Sequence, residues 1–130
     1  MNPEKKKRRI NELIEEIKTN RSNEGSSRLA IDELTEIGEP NQEAVDAVLD
    51  SLRWWFNWGD YDNTYLAILH CLGVIGLGNQ NAVDALERSM HGNTWPKAAM
   101  ENLRKLAQNG DIMAQSVLNK DETRNRLNKL

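Results

Sequence analysis

Apolar residues recur along this chain at helical spacing, and runs that alternate with period two are missing. Near the start, residues 4–20 place Ile10, Leu13, Ile14 and Ile17 on one face, with charge elsewhere. Ala30, Leu34 and Ile37 follow at i, i+4 and i+7, and Gly38 then supplies the positive φ that ends a helix. Pro40, with Asn41 beside it, opens the next helix, whose stripe is Val45, Val48 and Leu52. Val83, Leu86 and Met90 form a comparable stripe, and Thr94 is a candidate N-cap before Trp95-Pro96. The pattern predicts an all-α protein.

Self-similarity organises these helices. "IGEPNQEAVDAV" from Ile37 matches "IGLGNQNAVDAL" from Ile75, so the first spacing is 38 residues. A weaker third copy sets Ala99, Leu103 and Leu106 where Ile68, Leu72 and Ile75 stand, a spacing of 31, and aligns Met113, Ala114 and Val117 with Ala82, Val83 and Leu86. The extra residues of the first spacing fall between Asp50 and Thr64, in "SLRWWFNWGDYDNTYL". The division expected is a capping helix at 1–22, a first repeat at 26–53, an aromatic insertion at 54–63, a second repeat at 64–92, a third at 94–119 and a C-terminal tail at 120–130.

At 130 residues the chain fits one domain. Its single cysteine, Cys71, excludes an intramolecular disulfide and fits a reducing compartment. The basic start has no apolar stretch behind it as a secretory signal would, and no run nears the roughly 20 apolar residues that span a bilayer. A cytoplasmic protein is expected. Charge then sharpens the picture: residues 23–93 carry three Arg against twelve acids, while the segments on either side carry seven Lys/Arg against four acids each. An acidic centre between basic ends argues against nucleic acid and favours a protein partner with a basic surface, or complementary ends of a second copy.

Candidate chemistry is sparse. Cys71 stands beside His70, but His91 is distant and no second cysteine exists, so four metal ligands are not in reach; the apolar helix around it marks a core thiol. Asp46 and Asp84 hold equivalent places in successive second helices, roughly 10 Å apart by helix packing, which suits a solvated ridge better than a shared proton. "GVIGLGNQ" follows no strand, and so makes no phosphate loop. "KKKRR" at Lys5–Arg9 is partly neutralised by the acids after it. Of the aromatics, Trp55 and Phe56 continue the stripe of Val45, Val48 and Leu52. Trp54, Trp58 and Tyr61 fall off it beside Asp60 and Asp62, a mixture suited to an interface anchor.

Leu34, Ile37, Gly38, Ala44 and Val45, repeated as Leu72, Ile75, Gly76, Ala82, Val83 with Leu86, resemble the motif of HEAT-like repeats. The likeness is closest to the short class found in phycobilisome lyase-type proteins. It covers roughly residues 26–119. It departs where Ala107 follows Leu106 in place of Gly, and where the turn aspartate is absent from the first two units. The resemblance implies a short right-handed α-solenoid of about three helix pairs with capping terminal helices. With the residues above, it leads to the expectation of a non-catalytic scaffold or adaptor without cofactor or metal; the ridge of Asp46 and Asp84 and the aromatic insertion are the partner surface read from the residues themselves, as is a possible homo-oligomer. The alternative it offers is a lyase-like or chaperone-like subunit handling a bilin or other planar ligand.

Overall fold

The computed structural model describes residues 2–20, 23–58, 62–92 and 95–128, with the backbone alone at 24, 55–58, 62 and 63. Seven helices occupy them: α1 (Pro3–Thr19), α2 (Glu24–Ile37), α3 (Gln42–Trp58), α4 (Asp62–Ile75), α5 (Gln80–Met90), α6 (Pro96–Gln108) and α7 (Ile112–Asn128). No strand occurs among the described residues, and no helix there is long and apolar enough to cross a membrane.

The helices meet in a regular order. α2 packs on α4 and α4 on α6, making one row, while α1 packs on α3, α3 on α5 and α5 on α7. The rows are joined where α1 meets α2, α3 meets α4, and α6 meets both α5 and α7. Leu13, Ile31, Val48, Leu72, Leu86 and Leu103, one from each of the first six helices, are 0% exposed in the seam. Removing each such side chain from water contributes about 1.5–3 kcal/mol. α3 has 17 residues against 11 in α5, so residues 54–58 of the aromatic stretch continue a helix.

Each second helix begins alike. Asn41 Oδ1 accepts the Ala44 N–H at 2.9 Å, Asn79 Oδ1 that of Ala82 at 3.1 Å, and Asp111 Oδ1 that of Ala114 at 3.0 Å. The three alanines are fully buried, so the cap fixes which face of the helix turns inward. Pro40 therefore precedes the cap and does not sit in the first turn of α3. Thr94 lies outside the described residues, and α6 starts after Trp95 without a side-chain cap. In the third unit the cap comes five residues after Leu106, against four after Ile37 and Ile75. Ala114 is thus the counterpart of Ala82, where the sequence pattern aligned Met113. Gly110, at φ 98°, absorbs the added residue; its N–H donates to Ala107 O and the Asp111 N–H to Leu106 O, closing the end of α6.

Two turns of nearly identical sequence fold differently. Positive φ falls on Gly38 in the first and on Gly78 in the second. The cause is Pro40, which occupies the place of Gly78: its ring fixes φ near −65° and biases Glu39 away from helical angles, so Gly38 alone can reverse the chain. Relieved of that task, Gly76 lets α5 approach closely, and a Cβ there would lie 2.6 Å from the Ala82 Cβ. The Gly78 N–H then donates to Asp111 Oδ2 at 2.8 Å. Asp111 thereby caps α7 with one oxygen and holds the preceding unit's turn with the other.

The crossings within the α2–α4–α6 row use one position twice. Cys71 of α4 sits against the Thr35 hydroxyl of α2. Their counterparts one unit on, Gly73 and Asn102, meet where α4 crosses α6: a Cβ on Gly73 would stand 2.2 Å from Asn102 Oδ1. Asn102 Nδ2 donates to Ala98 O, while its buried Oδ1 has no hydrogen-bond partner.

Gly73→Ala is expected to destabilise the fold by about 1–3 kcal/mol through overpacking. In an Asn102→Ala background the Oδ1 collision is gone while the Cβ of residue 102, 2.7 Å from the added methyl group, remains, so the same substitution should cost less without becoming neutral. Urea unfolding of the four proteins measures this, and additive costs would refute the close crossing.

Candidate functional site

On α3 the inward positions Ala44, Val45, Ala47, Val48 and Ser51 are buried, which leaves Glu43, Asp46, Asp50 and Arg53 on the outward side. With Lys18 from the end of α1 and Asn81 from the start of α5, they line a groove of about 410 Å³ floored by Ala47 and Leu49. Arg53 approaches Asp50 at 4.0 Å, and Glu43 and Asp46 add two further carboxylates to the lining. The groove is a negative strip over a small apolar floor, suited to a cationic side chain whose aliphatic stem packs below.

The residues singled out by sequence are only partly gathered here. Asp46 lines the groove; Asp84, half-buried on α5, does not. Trp54 is half-buried and packs against the core. Trp58 ends α3 and Asp62 begins α4, with side chains outside the described set, and Asp60 and Tyr61 lie outside the described residues. Glu43, Asp50 and Lys18 were missed. Their signal was the i, i+3, i+7 spacing of Glu43, Asp46 and Asp50, which puts three acids on one helix face.

The basic run at the N-terminus is divided by its partners. Arg9 donates to Glu33 of α2 through Nε and Nη2, the latter at 2.8 Å, and reaches Glu12 at 2.9 Å and Glu16 at 3.4 Å. That forked bond holds the Glu33 carboxyl below its ordinary value of 4.5, against a smaller opposing effect of burial. Lys6 approaches Glu39 at 3.9 Å, whereas Lys5, Lys7 and Arg8 are exposed. Arg9 thus fastens α1 to α2, and the acids outnumber it.

Cys71 is 0% exposed, and burial pushes its thiol up to about 12. A nucleophile needs the thiolate, which this setting suppresses. Among the described residues, no group of three or more His, Cys, Asp or Glu could hold a metal ion. No family model, curated protein or solved structure matches this chain.

Two outcomes follow from these groups. Glu33 has its pKa lowered on folding, so its contribution is present above the unfolded value and is lost as pH falls through the folded one. Glu33→Gln should cost about 1 kcal/mol or less at pH 7, given the exposure of the pair, and should flatten the loss of stability below about pH 4.5. Urea midpoints at pH 7 and in mild acid measure it; an unchanged acid slope would count against the Arg9 clamp. For Cys71, labelling by a disulfide reagent at pH 8 should proceed only as fast as the fold opens, so adding urea should accelerate it steeply. Fast labelling of the native protein would contradict the buried setting.

Proposed function

We propose that the chain is a cytoplasmic, non-catalytic scaffold of the HEAT-like type: a short right-handed α-solenoid of about three helix pairs flanked by capping helices. A protein partner with a basic surface docks on the ridge of its second helices. The observation that carries this reading is the groove on α3, where Glu43, Asp46 and Asp50 stand over Ala47 and Leu49. The two helix rows support the solenoid, because equivalent helices of successive units neighbour one another in each. Side chains along one row face then repeat at the helix packing distance of about 8–10 Å and present a ladder to an extended or helical segment. The carboxylates set orientation and encounter rate, while affinity rests on apolar anchors packed beside them. Trp58 and Tyr61 are the anchors this reading assigns, next to Asp60 and Asp62.

The chemistry expected of such a surface is recognition without bond-making. The carboxylates of the groove are spread along one helix face. The reading of Trp54, Trp58 and Tyr61 as a stacking platform for a bilin has no comparable observation behind it, since Trp54 turns into the core.

Immobilised protein should retain partners from its host's extract that are released at about 0.5 M salt, where the screening length falls to a few ångströms. Glu43→Lys combined with Asp46→Lys should abolish their capture while leaving the circular dichroism spectrum unchanged. If both columns retain the same proteins, read by mass spectrometry, the groove is not the docking surface.

A further inference from the structure

The row α2–α4–α6 is built from one crossing used twice, and its two ends display the halves of a third. Thr35 of α2 meets Cys71 of α4, and one unit on Gly73 of α4 meets Asn102 of α6. Carried one more unit forward, the position of Thr35 and Gly73 becomes Arg104, exposed on the far side of α6. Carried one unit back, the position of Cys71 and Asn102 becomes Glu33 on the near side of α2. The residues at the two ends are therefore an arginine and a glutamate, the glutamate already forked to Arg9. Around Glu33 the charge is not balanced: Arg9 is ringed by Glu12, Glu16 and Glu33. Around Arg104 stand Lys97 and Lys105 on exposed positions of the same helix, with Glu101 as the one acid among them.

Apolar surface follows the same logic. Ala67, on the side of α4 that faces α2, is 8% exposed, whereas its counterpart Leu29 is 72% exposed on the open side of α2. Leu69 is fully buried, and its counterpart Met100 is only half-buried on α6. Each open end thus carries a residue whose internal counterpart is covered.

From these placements we infer that the protein self-associates head to tail, α6 of one copy taking α2 of the next, with Arg104 entering the Glu12–Glu16–Glu33 cluster and Leu29 covered near Met100. The inference rests on the solenoid reading above, and a contact between different faces of identical molecules is heterologous and open-ended. A contact made by one helix from each copy is smaller than a standard interface, so a weak association is expected. Low salt strengthens it.

Sedimentation velocity over about 10 µM to 1 mM protein tests the proposal, a range set by the expected weakness of the contact. Wild type should shift to larger species with concentration, and less so in high salt. Leu29→Lys, which blocks the α2 end, and Arg104→Glu, which blocks the α6 end, should each be monomeric, both being surface changes with unaltered urea midpoints. Mixed together they retain one intact end apiece and should give a 1:1 dimer and nothing larger. A wild type that stays monomeric throughout overturns the inference. So does association that survives in either variant alone, which would mean an isologous contact elsewhere, such as between exposed faces of α7. Failure here leaves the α3 groove reading standing, because that surface is on the other row; if the row itself were wrong, the coupling between Gly73 and Asn102 would vanish as well.

Discussion

Helix α4 has a neighbour on both flanks, and the spacing of that sandwich is the constraint under which the other helices are placed. Two helices pack about 8–10 Å apart only if the side chains between them fit that gap. At the α2 crossing the gap holds Thr35 and Cys71; at the α6 crossing it holds nothing from Gly73 and the whole of Asn102. One partner must be small wherever the other is of middling size. The cost of this economy is visible in Asn102, whose Oδ1 is buried without a partner while its amide is tied to Ala98. A buried oxygen left unmatched costs about 1–3 kcal/mol, so the crossing is held by packing in spite of its polarity.

The turns transmit that spacing to the second row. Asn41, Asn79 and Asp111 each cap a helix three residues before a buried alanine, which sets how far the second helix is rotated as it leaves the turn. Asp111 adds a tie that asparagine in the earlier units does not show, since its second oxygen holds the Gly78 N–H of the preceding turn. An amide offers one acceptor oxygen and a carboxylate two, so this double duty needs the acid. The link joins the α4–α5 turn to α7 across 33 residues of chain.

How much of this was legible in the sequence depended on the range of the interaction. Local signals read well: the apolar stripes of α1 and α5, the end of α2 at Gly38, and the kinship of the segments at Ile37 and Ile75 all rest on contacts within a helix turn or on direct identity. The register of the third unit did not, because the residue added before Asp111 leaves the spacing of α6 at 31 and changes that of α7 to 32, with no shared "NQ" to reveal it. The fate of Arg9 was hidden for a different reason. Its strongest partner, Glu33, lies 24 residues away and is fixed only once α1 and α2 pack. At the candidate site, Asp46 and Asp84 looked paired by repetition, yet grooves form between elements, and the wall opposite Asp46 comes from Lys18 of α1 and Asn81 of α5. The aromatic stretch read as an excursion from the repeat, while its first part simply prolongs α3 to Trp58.

These elements also explain why the groove depends on more helices than line it. Its walls belong to α1, α3 and α5, and neither Gly73 nor Asn102 lines it. Even so, α3 is seated on α4, and α5 is seated on α6 and tied to α4 by the bond between the Tyr65 and Ser89 hydroxyls at 3.0 Å. Widening the pitch of the first row by the breadth of one methyl group would therefore splay α3 from α5 and flatten the strip of carboxylates between them. Interiors packed at crystal density pass such a displacement on because there is little void to absorb it. The glycine that never meets the groove is, on this account, one of the residues that determine its width.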